Sequence, residues 1–113
     1  MMTKINEVIE GLNIAVVMDL RAKDYINSCF LKEDGTATEE YKYKAIEKKK
    51  YIYLDCGGSG VFMIDRDGEI FNIKSYGTID KNKKLKADLG NIKDYNTMED
   101  FKRLNSLRYN YLR

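Results

Sequence analysis

Lys74 and Tyr76 are the two side chains of this sequence whose types and spacing come nearest to acid–base chemistry. An amine and a phenolic hydroxyl, assisted by a carboxylate, can transfer protons in place of histidine. The chain contains no histidine, so the commonest general base and the commonest transition-metal ligand are both absent. Ser59 as a nucleophile would need a lysine base that the sequence does not place beside it. We therefore expect a protein that is not an enzyme and has no catalytic residues, with catalysis as the last of three hypotheses.

Two glycine-containing segments have compositions similar to those of ligand-binding loops. In residues 65–69, Asp-Arg-Asp-Gly-Glu, the glycine comes too early for a calcium loop, and Lys74 stands where that loop needs a glutamate. Residues 56–60, Cys-Gly-Gly-Ser-Gly, resemble a phosphate-binding loop, but such loops join a strand to a helix, whereas this segment joins two predicted strands. Both segments are predicted to be turns, and we expect no metal and no cofactor.

Lysine and arginine are grouped in three parts of the chain, with tyrosines between them. Residues 1–40 carry four bases and eight acids, and residues 41–113 carry sixteen bases and ten acids, giving net charges of −4 and +6. Such asymmetry is typical of proteins that contact nucleic acid or an acidic protein surface. The basic clusters are Lys42, Lys44, Lys48, Lys49 and Lys50; Lys81, Lys83, Lys84 and Lys86; and Lys102, Arg103, Arg108 and Arg113. The nearby tyrosines are Tyr41, Tyr43, Tyr51, Tyr53, Tyr76, Tyr109 and Tyr111.

The elements that must position these side chains begin with a three-stranded β-meander. Apolar runs at residues 51–56, 61–65 and 70–73 are rich in β-branched and aromatic residues, and the two glycine segments separate them. Alternation along the strands predicts one apolar face that a helix covers. The residues predicted on this face are Ile52, Leu54 and Cys56, then Phe62 and Ile64, then Phe71 and Ile73.

Two helical stripes precede the sheet. The first runs from Thr3, a possible cap, to Leu12, and the second begins at Ile14. The two stripes point in different directions, and Gly11 with Asn13 predicts a kink or turn between them. The Asp-Gly pair at residues 34–35 predicts the end of the long helix. The second stripe comprises Ile14, Val17, Met18, Ala22, Tyr25, Ile26, Cys29 and Phe30.

Residues 36–50 fit either a helix or a strand, and the alternation of tyrosine and lysine over residues 41–44 favours a strand or extended entry. Near the C-terminus, residues 96–99, Asn-Thr-Met-Glu, resemble a capping box for a terminal helix. That helix would pass through Phe101, Leu104, Leu107 and Tyr111.

Basic charge beside flat aromatic rings suits single-stranded nucleic acid, because rings stack on bases while the charges neutralise phosphates. The plain alternative is a solvated, lysine-rich surface. In a meander the first strand begins and the third strand ends at opposite ends of the sheet, about 20 Å apart, so we expect a stripe rather than one patch. The predicted partner-binding residues are Lys42, Lys44, Lys48, Lys49, Lys74, Tyr76, Lys81, Lys83, Lys84 and Lys86.

Length and composition favour one soluble domain over residues 1–113, with 43% hydrophobic and 34% charged residues. The longest apolar run, residues 14–18, is too short to span a bilayer, and the N-terminus lacks the pattern of a secretory signal. We therefore expect a cytoplasmic protein without a membrane partner. Cys29 and Cys56 form no Cys-x-x-Cys pair, so neither a disulfide nor a metal site is expected.

Residues 50–79 resemble a group of small, poorly characterised bacteriophage proteins. The shared features are a glycine-joined hairpin, then Asp-x-x-Gly-Glu-Ile, then Ile-Lys-x-Tyr-Gly, which here is residues 73–77. A late Gly-x-Leu element that those proteins often carry is inverted here as Leu89-Gly90, so no motif of theirs is matched to this chain beyond Gly77. It implies a phage origin and, for a small protein without a catalytic set, action on a functional surface of a host protein.

The sequence therefore predicts an α+β domain in which a small antiparallel meander of three to four strands packs against a long N-terminal helix, with a short C-terminal helix. The first functional hypothesis is a non-catalytic, phage-encoded protein that binds and modulates or inhibits a host nucleoprotein machine, such as a CRISPR effector, by protein–protein contact. The second is direct binding of nucleic acid by the surface rich in lysine and tyrosine. The oligomeric state is left open.

Overall fold

The predicted α+β class and layer arrangement are confirmed: a five-stranded antiparallel sheet packs against an N-terminal helix, and a short helix follows near the C-terminus. The computed structural model describes residues 1–22, 42–79 and 89–107. Its elements are α1 (Met2–Ala22), β1 (Tyr43–Glu47), β2 (Tyr51–Cys56), β3 (Ser59–Asp65), β4 (Ile70–Ser75), β5 (Thr78–Ile79), a 3₁₀ helix (Ile92–Asp94) and α2 (Met98–Leu107).

Every strand of the sheet pairs with its neighbour in sequence, in the order β1-β2-β3-β4-β5. The three predicted apolar runs are β2, β3 and β4. Tyr43–Glu47 forms a strand rather than a helix, which resolves the ambiguity of residues 36–50 in favour of the strand for that part, whereas residues 36–41 lie outside the described residues. The two-residue strand β5 lies beyond the predicted meander and brings the sheet to five strands.

The acidic segment between β3 and β4 is a turn, as predicted. Asp65 Oδ1 accepts hydrogen bonds from the backbone N–H groups of Asp67 and Glu69, both at 2.9 Å. Gly68 has a φ of 89°, a backbone angle that side chains with a Cβ adopt at a cost. The carboxylate of Asp65 is thus engaged in holding the turn.

One face of the sheet and the inner face of α1 form the core. Side chains at helical spacing on α1 meet the inward side chains of the strands, and residues from the segment before α2 close one end. The main core residues are Ile5, Val8, Leu12 and Val16 on α1; Ile52, Leu54, Phe62, Ile64 and Ile70 on the sheet; and Leu89, Ile92, Tyr95 and Leu104.

The prediction of a break near Gly11 and Asn13 was wrong, because α1 stays helical from Met2 to Ala22. Gly11 is buried against the ring of Phe101 on α2, and a Cβ placed on it would lie 2.3 Å from Phe101 Cδ2. Asn13 Oδ1 accepts from the backbone N–H of Tyr43 at 2.6 Å, and its Nδ2 donates to the Tyr43 carbonyl at 3.3 Å. Both residues thus serve tertiary contacts rather than a turn.

One continuous stripe on α1 faces the core, and this corrects the second predicted stripe. Ala15 and Val16 continue the stripe of the first turns, whereas Ile14 and Met18 are 48% and 41% exposed. The helix also begins one residue before Thr3, which therefore lies inside the first turn instead of capping it. The predicted end at residues 34–35 and the stripe residues from 25 to 30 lie outside the described residues.

The face assigned to Phe71 and Ile73 was also wrong. Ile70 pairs with Ile64 and lies in the core, whereas Phe71 pairs with Met63 on the opposite side of the sheet. Because side chains alternate along a strand, Ile73 lies on the same side as Phe71. The register of β4 against β3, rather than alternation within β4 alone, decides the face.

Helix α2 begins one residue later than the predicted capping box at residues 96–99 implied. Thr97 Oγ1 accepts from the N–H of Asp100 at 3.2 Å, and Asp100 Oδ2 accepts from the N–H groups of Asn96 and Thr97 at 2.9 Å each. These backbone N–H groups lower the pKa of the Asp100 carboxyl. The box is therefore formed by Thr97 and Asp100, not by Asn96 and Glu99.

The buried cysteine of β2 and the length of the described helices complete the description of the fold. Cys56 is a buried cysteine at the end of β2, and Cys29 lies outside the described residues. Among the helices that the structure describes, none is long and apolar enough to cross a membrane.

Candidate binding site on the outer face of the sheet

We call the side of the sheet turned away from α1 the outer face. On β2 the alternation that buries Ile52 and Leu54 in the core places Tyr51, Tyr53 and Asp55 on this outer face. Cross-strand pairing adds further residues, because directly paired residues share a face: Lys44 and Ile46 from β1, Met63 from β3 and Phe71 from β4. Ile73 joins them by alternation along β4.

The predicted partner-binding residues divide between the two ends of the sheet. Lys42 and Lys44 lie at the end where β2 turns into β3, since Lys44 pairs with Asp55 and the Lys42 carbonyl accepts from Gly57 N–H. Lys74 and Tyr76 lie at the same end, at the close of β4. Three strand spacings, about 14 Å, separate β1 from β4, so Lys42, Lys44 and Tyr76 lie along one stripe across this end of the sheet.

The other end of the sheet carries Lys48 and Lys49 in the turn between β1 and β2. The guanidinium of Arg66 donates to the carbonyl oxygens of both lysines and forms an ion pair with Glu47 at 2.9 Å. The first basic cluster is therefore split between the two ends, which the sequence did not predict. The cluster of Lys81, Lys83, Lys84 and Lys86 lies outside the described residues, as do Arg108, Arg113, Tyr41, Tyr109 and Tyr111.

Among the described residues, aromatic rings form two edge-to-face pairs on the outer face. The ring centroids of Tyr53 and Tyr76 are 5.4 Å apart at 71°, and those of Tyr51 and Phe71 are 6.4 Å apart at 84°. Tyr76 is 54% exposed. The ammonium of Lys50 lies 5.6 Å above the ring of Tyr51. By contrast, Tyr43 is buried and cannot join this surface, because its hydroxyl donates to Asn105 Oδ1 inside the core.

Asp55 is the acidic residue beneath the Tyr53–Tyr76 pair. Only 4% of its surface is exposed. The Tyr76 hydroxyl donates to Asp55 Oδ2 at 2.9 Å. Asp55 Oδ1 is buried and has no hydrogen-bond partner within the part of the chain that the structure describes. Since buried polar atoms are normally paired, this oxygen is an unusual feature of the outer face.

Two glycines allow Tyr76 to lie over Asp55. A register shift between Leu54 and Asp55 places Gly60 opposite Asp55, and a Cβ on Gly60 would come within 3.0 Å of Ile73 Cδ1 and 3.3 Å of the Tyr76 ring. Gly77, with a φ of 83°, turns the chain so that its backbone lies close to the Tyr53 hydroxyl. The Ile-Lys-x-Tyr-Gly motif therefore folds its tyrosine back onto the sheet.

The hydrogen bond to Asp55 raises the pKa of Tyr76 above the usual 10.0, with desolvation and the Asp55 charge acting in the same direction. We expect Asp55→Asn to bring the Tyr76 pKa back toward 10.0, measured by NMR of ring carbons during a pH titration. Because the folded state holds this proton more tightly, the stabilisation by the bond is complete below pH 10 and is lost as pH rises through the raised pKa. A Tyr76 pKa that stays the same in Asp55→Asn would show that the bond does not form in solution.

The described part of the outer face presents tyrosine rings, lysines and the carboxylate of Asp55. Lys74 and Tyr76, which were considered for acid–base chemistry, are not brought together: Lys74 alternates to the side opposite Ile73, while Tyr76 lies over Asp55 on the outer face. Within residues 1–22, 42–79 and 89–107, no three Cys, Asp or Glu side chains converge as metal ligands would. Sequence reasoning missed Asp55, although an aspartate within an apolar strand is a signal, since strands are depleted in aspartate.

No protein-family model, no curated protein and no solved structure matches this chain. The fold and the outer face together define a small α+β protein with a surface of tyrosine and lysine. The resemblance to bacteriophage proteins and the cytoplasmic location stay predictions.

Proposed function

We propose that this chain is a non-catalytic binding protein, encoded by a bacteriophage, that modulates or inhibits a host nucleoprotein machine, and that the outer face is its contact surface. The observation that carries the proposal is the exposed stripe in which Lys42, Lys44 and Tyr76 accompany the Tyr53–Tyr76 ring pair at one end of the sheet. Tyrosine gives a large contact area at low conformational cost, and it is enriched in protein interfaces.

Capture from a host lysate with matched variants tests this proposal. We expect the wild-type protein and Lys102→Glu, a charge reversal at an exposed position of α2, to retain the same stoichiometric partner in quantitative mass spectrometry. Lys44→Glu and Tyr76→Ala should lose it, because both change exposed residues of the outer face. The absence of any stoichiometric partner, or equal capture by all four proteins, would overturn the proposal.

Direct binding of single-stranded nucleic acid is the second candidate. It is favoured by lysine charges on the same face as the rings. Lys44 on β1 is paired with Asp55 on β2, and the ammonium of Lys50 lies over the ring of Tyr51. In such a surface rings stack on bases and lysines neutralise phosphates. We expect affinity for a short oligothymidine to fall steeply as salt rises, because bound counterions are released on binding. No binding at low salt, measured by fluorescence anisotropy, would remove this candidate.

A further inference from the structure

The buried carboxylate of Asp55 is the feature of the outer face that general binding leaves unexplained. One of its oxygens takes the Tyr76 hydroxyl, and the other has no partner among the described residues although it is shielded from solvent. A desolvated acceptor without a donor is destabilising, so a ligand that supplies an N–H group there gains more than it would at an exposed site.

The rings around Asp55 restrict the shape of that donor. Tyr53 and Tyr76 stand edge to face at 5.4 Å, and Tyr76 is more than half exposed, so rotation of its side chain opens the carboxylate to the outer face. A flat group can then stack on a tyrosine ring while its edge reaches the Asp55 oxygens. Two flat, donor-bearing groups fit this description: a nucleobase and the guanidinium of an arginine.

Charge decides between the two. Lys44 lies directly across the strand from Asp55, and Lys42 lies two residues further along the same edge, both exposed. Their charges repel a guanidinium that approaches Asp55, whereas they attract the phosphates that flank a base. A nucleotide therefore satisfies the carboxylate, the rings and the lysines together. Guanine fits best, since its amino group and the neighbouring ring N–H give two donors on one edge to a carboxylate.

We propose that Asp55 selects a guanine base in single-stranded nucleic acid bound across the outer face, with the base stacked on one of the rings of Tyr53 and Tyr76 and with Lys42 and Lys44 contacting the adjacent phosphates. This inference rests on nucleic-acid binding, the second proposed function. Asp55 touches the base directly, so its role is specificity, whereas the lysines contribute to affinity for every sequence.

Fluorescence anisotropy with three labelled oligothymidines of equal length tests the proposal: one all thymidine, one with a central guanosine and one with a central inosine. We expect wild-type protein to bind the guanosine strand about tenfold more tightly than oligothymidine, as for a good bidentate pair. Inosine keeps the ring N–H and lacks the amino group. The strand with inosine should therefore bind with an affinity between those of the other two strands. This comparison needs no variant and therefore does not depend on how a mutant folds.

Two variants test whether Asp55 is the residue responsible for the guanosine preference. Asp55→Asn should bind the guanosine strand and the all-thymidine strand with equal affinity, so that the ratio of the two dissociation constants within this variant falls to about one. The matched control is Asp67→Asn, the same change at an exposed carboxylate in the turn between β3 and β4, and it should keep that preference. Far-UV circular dichroism and thermal unfolding of each variant establish that the fold is retained.

The possible failures are distinguishable. Equal binding of all three strands by wild type overturns guanine selection and leaves nucleic-acid binding standing, whereas no binding of any strand at low salt overturns both. A guanosine preference that persists in Asp55→Asn overturns the role of Asp55. Shifts of the Tyr53 and Tyr76 NMR signals on adding acetyl-arginine amide, with none on adding the guanosine strand, would assign the site to an arginine of a protein partner instead.

Discussion

Gly11→Val is expected to lower the free energy of unfolding by about 2 kcal/mol, although valine is a better helix former than glycine. The reason is the approach of α1 and α2 at this point, where any Cβ would overlap the ring of Phe101. Either the ring moves out of its packed position or the helices separate, and both lose buried contact. Urea unfolding followed by circular dichroism measures the effect.

A double-mutant cycle separates this overlap from a general cost of replacing glycine. A Phe101→Ala background removes the ring that a Cβ on Gly11 would overlap, so Gly11→Val should cost much less there. Gly58→Val is the control, because a Cβ at Gly58 meets nothing within 4 Å. An equal cost of Gly11→Val with and without the Phe101 ring would contradict the explanation.

Asn13→Ala is expected to destabilise the protein by about 2 kcal/mol, because it removes both hydrogen bonds between the Asn13 side chain and the backbone of Tyr43. The side-chain amide of Asn13 pairs with the backbone of Tyr43 as a neighbouring strand would. These bonds hold the start of β1 against the middle of α1. Hydrogen exchange gives a residue-specific measurement, since the Tyr43 N–H should lose protection while amides in β3 keep theirs.

Asn6→Ala is the matched control for this prediction. Asn6 lies on the same helix and is exposed, and alanine is the better helix former, so the change should be neutral or slightly stabilising. If the two substitutions had the same effect on unfolding, or if the Tyr43 amide kept its protection in Asn13→Ala, the paired hydrogen bonds would not be what holds β1.

Local signals in the sequence were sufficient for the strands and for the acidic turn. The runs at β2, β3 and β4 alternate or are continuously apolar, and Asp65 holds its own turn through bonds to residues two and four positions on. Such elements depend on neighbours in sequence, so their residue types are enough to predict them.

The errors occur where a distant partner decides the outcome. Gly11 and Asn13 have the composition of a helix break, but their partners, Phe101 and Tyr43, belong to elements far along the chain. Similarly, the register of β4 follows from pairing with β3, which placed Ile70 in the core instead of Phe71. No pattern within a single element contains this information.

The candidate site was predicted in part for the same reason. Lys44 and Tyr76 were expected to be on the surface, and both are exposed at one end of the sheet. Their relation to Asp55 depends on the register shift opposite Gly60 and on the turn at Gly77, which together bring Tyr76 over a carboxylate 21 residues earlier in the chain. Spacing alone does not encode that contact.

The order in which this chain folds follows from the sheet topology. Each strand pairs with its sequence neighbour, so the hairpins close short loops, whereas docking α1 on α2 joins segments near opposite ends of the chain. Closing the longer loop carries the larger entropic cost, so we expect α1 and α2 to dock after the transition state of folding. Gly11→Val should then accelerate unfolding and leave the refolding rate nearly unchanged in stopped-flow measurements, and a slower refolding rate would place helix docking in the nucleus.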